Sequence, residues 1–281
     1  MRRLIRVFRA AGIQYSEDGC AVLAQALAFN AIFAVFPLVM LAVAALGFVY
    51  GSDRGQAQVL ALIKTVAPGV RDVVSANLQH VVENRGLSGL IAIVALVWSG
   101  KNLFQTIAYT LDRALDIPKG RPLLKDILFA IVTLPVLAIL LVVATALPLA
   151  LSFVVQNGGF RHSALWAQVA GYGTGILLVF IVTLLLYDFL PNRRMKLSFG
   201  IPGAIFTTVA WEIAQIAFGI YSTHVDYTKV YGALAALAIL LVWFYYMGTI
   251  FLFGAELSAQ WLEREPGEQP AREPVHARRT A

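Results

Sequence analysis

The sequence predicts an all-α membrane protein: a polytopic bundle of about six transmembrane helices with both termini in the cytoplasm. Three observations predict it. Hydrophobic residues make up 59% of the 281 and charged residues only 14%, with a mean hydropathy of +0.74. A soluble domain carries charge on about a quarter of its residues, so most of this surface does not face water. Apolar runs of about 18 residues or more recur along the chain, each long enough to cross a bilayer as a helix. Lys and Arg come in short clusters between those runs, the pattern that orients a membrane protein.

The elements follow in order. Residues 1–15 form a basic amphipathic segment: Arg2, Arg3, Arg6 and Arg9 alternate with Leu4, Ile5, Val7 and Phe8, a pattern suited to anionic lipid headgroups. Ser16 stands as the expected N-cap of the next helix, with Asp18 in its first turn. That helix continues into a first span over Ala28–Tyr50, with a kink expected at Pro37. An insertion over 51–86 has no long apolar run. Its Val, Leu and Ile residues fall at helical spacing on either side of Pro68, as two amphipathic helices outside the membrane would place them. Further spans are expected at Leu87–Tyr109, Ile127–Val155, Leu165–Leu190, Leu197–Tyr221 and Tyr231–Leu257. The membrane domain thus covers 16–262, and a charged, proline-containing tail at 263–281 is expected to be disordered.

Orientation rests on the loops. Four basic residues precede the first span, four lie between spans two and three, three between four and five, and four in the tail. The loops after spans three and five carry one each, Arg161 and Lys229. The positive-inside rule puts the richer side in the cytoplasm of a bacterial inner membrane.

Several function classes find no support. The net charge of +6 is spread over loops rather than gathered in a groove for a phosphate backbone, so nucleic acid is not an expected partner. Cys20 is the one cysteine and reads as a buried thiol. His80, His162, His224 and His276 are scattered, and no metal-ligand spacing or hydrolase motif is present. No metal, cofactor or enzymatic activity is expected. The lipid bilayer is the expected partner.

Ionisable residues inside spans are the informative exceptions, since each costs about 2.5–3.5 kcal/mol at a helix centre and should face the bundle interior. Lys101, Asp188 and Glu256 all fall toward the cytoplasmic side and are expected to meet as one charge cluster. Glu212 lies deeper, on a stripe with Thr208, Gln215 and Ser222. Asn102 and Gln105 start a second stripe with Thr106 and Tyr109, and Asn30 stands in the first span. Two polar stripes in one bundle predict a shared polar cavity. Gly200 and Gly203 read as points of close helix contact.

The order of several short stretches resembles the YihY/BrkB family of bacterial inner-membrane proteins, once labelled ribonuclease BN. They are Ala24–Pro37 (AQALAFNAIFAVFP), Trp98–Gly100 (WSG), Tyr187–Asn192 (YDFLPN) and Pro202–Ala204 (PGA) with Trp211. Tyr227–Gly232, Trp243–Tyr245 (WFY) and Gly254–Leu257 (GAEL) complete the set. The resemblance covers about residues 10–262 and implies six spans with both termini inside. It departs at Asp112, where members often carry Asn. A metal-dependent ribonuclease needs carboxylates or histidines around a hydrated ion and a basic channel, and the sequence offers neither. The expected function is transport or export of a small polar solute or a lipid-like amphiphile, with Glu212 carrying a coupling ion and the charge cluster acting as a gate. The alternative is a non-transporting scaffold for envelope machinery.

Overall fold

The computed structural model describes residues 2–50, 85–117, 164–192, 197–224 and 235–262. The span expected at Ile127–Val155, the tail at 263–281 and nearly all of the insertion at 51–86 lie outside the described residues. Six helices and no strand occur among the described residues: α1 (Arg2–Glu17), α2 (Cys20–Tyr50), α3 (Arg85–Ala114), α4 (Ala164–Phe189), α5 (Leu197–His224) and α6 (Ala235–Leu262).

α1 and α2 meet at a break that the sequence reading placed too early. Ser16 lies inside α1 rather than capping α2, because the chain turns at Gly19 instead. Gly19 adopts φ +65, a left-handed conformation that costs a glycine little. Its N–H reaches back to Ser16 O at 3.3 Å, and Asp18 N–H bonds Gln14 O at 2.9 Å. The two helices bend by 71° at this break. α2 then runs unbroken through Pro37. α3 ends in a similar reversal. Asp116 takes φ 52, and Ile117 N–H bonds Asp112 O at 2.8 Å.

α6 is the central element. It packs against α1, α2, α3 and α5, while α2 also packs on α3 and α4 on α5. Small residues make these approaches possible. On α5, Gly203 and Thr207 are four apart; on α6, so are Gly254 and Ser258. These two small-residue steps face each other, so that a Cβ on Gly203 would strike Gly254 O and Ser258 Oγ, and one on Gly254 would strike Thr207 Oγ1 and Tyr187 Oη. Without a hydrophobic drive between helices in lipid, such backbone proximity is what holds a bundle together.

The outer surface is apolar. Along α5, Ile201, Ile205, Val209, Ile213, Ile216 and Ile220 form one exposed stripe, from 40% at Ile201 to 66% exposure at Ile216. Water would not tolerate so continuous a patch, whereas acyl chains match it. Two described helices, Phe199–Tyr221 and Leu237–Trp261, are each long and apolar enough to cross a membrane, and a third counts if Arg3–Glu17 and Cys20–Val35 are taken as one bent span.

Candidate functional site

The end of the bundle where α1 docks collects buried polar groups from five helices. Glu256 on α6 is fully buried, and Cys20 at the start of α2 donates its thiol proton to Glu256 Oε1 at 3.6 Å. Asp188, at the end of α4, is 7% exposed. Its Oδ1 accepts the Gly200 N–H at 3.0 Å, in the first turn of α5, where helix N–H groups lack internal partners and the dipole favours a carboxylate. Gly200 leaves the room for this, since a Cβ there would stand 2.9 Å from Asp188 Oδ1. Tyr187 is completely buried. Its hydroxyl shares a 2.8 Å hydrogen bond with Thr207 on α5 and donates to Phe251 O on α6. Ser258 Oγ accepts the Gly203 N–H at 2.9 Å. These bonds tie α4, α5 and α6 into one rigid end.

Two further groups close this end. Asp112 Oδ1 on α3 accepts the Asn192 N–H at 2.8 Å, pinning the turn after α4. A side-chain amide oxygen can accept the same bond, so Asn at this position can keep it. Asp112→Asn should leave thermal stability nearly unchanged, whereas Asp112→Ala should cost about 1–3 kcal/mol by orphaning the Asn192 N–H. Melting curves in detergent would separate the two.

Asp18 sits at the α1–α2 break, where Gln14 Nε2 donates to its Oδ2 at 2.8 Å. Burial pushes its carboxyl above the ordinary range. Asp116 adds to this, while the Gln14 bond, a hydrogen bond with Glu256 and the charge of Arg113 oppose it. The folded state therefore favours the protonated acid. Its contribution to stability is present in acid, below the ordinary carboxylate pKa, and is lost as pH rises through the raised value. Asp18→Asn should thus raise the melting temperature at neutral pH, and the gain over wild type should vanish in acid. An equal gain at both pH values would contradict this.

A second polar feature lies higher in the bundle, between α2 and α3. Ala26, Asn30, Asn102, Gln105, Thr106 and Tyr109 line an open groove of about 360 Å³. Ala26 and Asn30 lie six and ten residues beyond Cys20, hence about 9–15 Å along α2 from the buried end. Asn30 donates to Ala26 O at 3.0 Å and Thr106 to Asn102 O at 2.9 Å, each within its own helix. Asn30 Oδ1, the Asn102 and Gln105 amides and the Tyr109 hydroxyl are the other polar side-chain groups that line the groove. All are uncharged, and together they offer both donors and acceptors.

The structure brings together one of the two expected polar stripes and separates the other. Asn102 and Gln105 share the groove with Asn30. On α5, Thr208 is buried and donates to Ala204 O of its own helix at 2.7 Å. Glu212 is half-buried and Gln215 exposed, on the flank of the apolar stripe, and α6 stands between α5 and the α2–α3 pair. Of the expected cluster of Lys101, Asp188 and Glu256, Asp188 is held by the Gly200 N–H and Glu256 by the Cys20 thiol, with no ion pair to Lys101 among the described residues. Phe104, three residues after Lys101, shares a core cluster with Tyr187 and Ala255, the chain neighbours of Asp188 and Glu256. Lys101 is half-buried, one turn from Gln105 on the same helical face. Among the described residues, no group of three or more His, Cys, Asp or Glu could hold a metal ion.

The sequence profile described as virulence factor BrkB matches residues 13–278. The chain belongs to the BrkB family. This BrkB member is 30% identical over 259 residues to a UPF0761 membrane protein of Coxiella burnetii strain Dugway 5J108-111, covering 87% of this chain and 89% of that protein. A UPF0761 membrane protein of Pseudoalteromonas translucida is 26% identical over 248 residues, 86% of this chain and 81% of that one. YfkH of Bacillus subtilis, named as ribonuclease-like, is 30% identical over 225 residues, 75% of this chain and 81% of that one. No solved structure matches the chain. The BrkB member is a membrane protein, as its apolar helices and its relatives agree.

Sequence reasoning missed Tyr187, Thr207, Ser258 and Asp18 as parts of this BrkB structure. The four-residue spacing of Gly203 to Thr207 and of Gly254 to Ser258 was a usable signal for the first three. Asp18 has a local partner in Gln14, but Arg113, Asp116 and Glu256 reach it from elsewhere in the chain.

Proposed function

We propose that the protein is a multi-pass transporter of the bacterial inner membrane that moves a small polar solute or a lipid-like amphiphile. The observation that carries this reading is the groove between α2 and α3. An apolar bundle has no structural need for Asn30, Asn102, Gln105 and Tyr109 along one open face, 9–15 Å past its buried end by helix rise. Three amides and a hydroxyl held ready there suit an uncharged, hydrogen-bonding group of a substrate.

Helix directions support six crossings. α2 and α5 begin at the end where α1 docks, and α3, α4 and α6 finish there. The chain leaves α3 at that end and enters α4 at the other, an arrangement that suits the further span the sequence expects at Ile127–Val155. The clusters of Lys and Arg put the α1 end in the cytoplasm. In this reading Glu212, half-buried on α5, carries the coupling ion, separately from the substrate groove.

The test is untargeted mass spectrometry of lipids and metabolites inside and outside cells. Cells expressing wild type are compared with cells expressing equal amounts of folded Asn102→Ala/Gln105→Ala protein. A compound that changes side only with wild type names the substrate class. Identical profiles would refute the transport reading.

A further inference from the structure

We propose that α1 is an interfacial helix docked on the anionic leaflet of the bilayer, with Leu4, Ile5 and Phe8 at the acyl boundary and Arg6 and Arg9 on the lipid phosphates. This docking does not depend on what the groove carries.

Orientation is the first support. α1 leaves α2 at 71°. If α2 runs through the bilayer, α1 lies close to the membrane plane. The bend is built in at Gly19, whose positive φ and whose bond to Ser16 O close α1 before α2 begins. α1 is also fastened laterally. Val7 and Ala11 are buried against Leu257, with Phe206, Phe253 and Trp261 around them. Arg3 stacks over the Trp261 ring at 5.2 Å.

That docking uses one side of α1 and leaves an apolar side uncovered. Leu4 is 48% exposed, Ile5 64% and Phe8 40%. Leu4 and Phe8 are one turn apart, and Ile5 is their neighbour on the helix surface. Phe8 keeps ring contact with Phe206 at 5.7 Å and Phe253 at 6.2 Å. The exposed apolar face is therefore continuous with the aromatic edge of the bundle.

Charge decides the occupant. α1 carries four arginines against one glutamate, and Arg6 and Arg9 are exposed on the side of the helix next to Ile5. An apolar strip bordered by arginines fits acyl chains bordered by phosphates. In bacteria the anionic leaflet that faces the cytoplasm meets this description, so the same contact holds the α1 end, with its buried Glu256 and Asp188, on the cytoplasmic side.

The test is hydrogen–deuterium exchange of the full-length protein in nanodiscs of pure phosphatidylcholine and in nanodiscs that also contain phosphatidylglycerol. Backbone amides of α1 should be better protected in the anionic discs. Arg6→Gln/Arg9→Gln should erase the difference, by roughly fivefold in docking equilibrium per arginine. Ile5→Asn should lower protection in both lipids. Cys20, buried at the break, reports the fold, since its thiol should stay unlabelled in every variant. Arg9→Gln alone serves if the double variant misfolds. Equal exchange in both lipids would overturn the proposal, as would an Ile5→Asn variant with unchanged exchange. Protection seen only in native membranes would overturn it too, in favour of a protein partner.

Discussion

Alanine at Gly203 or Gly254 should unfold the α5–α6 contact and with it the α1 end of the bundle. At Gly203 the new Cβ meets Gly254 O and Ser258 Oγ of α6, and at Gly254 it meets Thr207 Oγ1 and Gly203 O of α5 and Tyr187 Oη of α4. A flexible side chain could swing aside, but a helical carbonyl cannot, so the helices must separate. Separation also stretches the Gly203 N–H bond to Ser258 and the Tyr187 bonds to Thr207 and Phe251. Overpacking alone costs about 1–3 kcal/mol, and each buried polar group left unpaired adds about 1–3. The expected total of about 3 kcal/mol or more should appear as a large drop in melting temperature and in monodisperse yield from detergent. Gly173→Ala and Gly175→Ala are the controls. A Cβ at either meets nothing within 4 Å, so stability should hold or rise by up to about 1 kcal/mol. Equal losses at all four positions would mean that close packing is not the cause.

The second large effect concerns the groove. Asn102→Ala/Gln105→Ala should leave the fold intact, because neither amide holds the bundle together through a hydrogen bond among the described residues. Substrate movement should fall sharply. Two hydrogen bonds to a ligand, at about 0.5–1.5 kcal/mol each, correspond to a loss of roughly 5–150-fold in affinity. Glu212→Gln separates binding from coupling. It should spare substrate binding and abolish accumulation against a gradient, since Glu212 lies across α6 from the groove. If Glu212→Gln instead weakens binding as much as the double variant, the two sites are not separate.

The cost of this arrangement falls at the buried end. Glu256, Asp188 and Tyr187 leave water together and each bonds to another helix through one oxygen, although Asp188 Oδ2 is buried with no hydrogen-bond partner among the described residues. The end can therefore stay rigid while the wider part, between α2 and α3, remains open. The single substitution most able to loosen it without steric clash is at Tyr187, whose hydroxyl reaches both α5 and α6.

Composition and periodicity alone determined the all-α membrane class. That follows from physics that needs no partner: a run of about 20 apolar residues must satisfy its own backbone in lipid, and only a helix does so locally. Asn102, Gln105 and Asn30 were legible as a polar stripe for the same reason, since spacings of three and four place residues on one face wherever the helix sits. What the stripes face was decided by tertiary structure. The α2–α3 stripe forms a groove, whereas Gln215 is exposed and no ion pair among the described residues joins Lys101 to the carboxylates it was expected to meet. Helix register between neighbours is set by where small residues allow backbones to touch, here Gly203 against Gly254, and that complementarity belongs to a pair of helices rather than to either sequence. The break at Gly19 is of the same kind. The residue permits a left-handed turn, but only the docking of Val7 and Ala11 on α6 makes the turn worth taking.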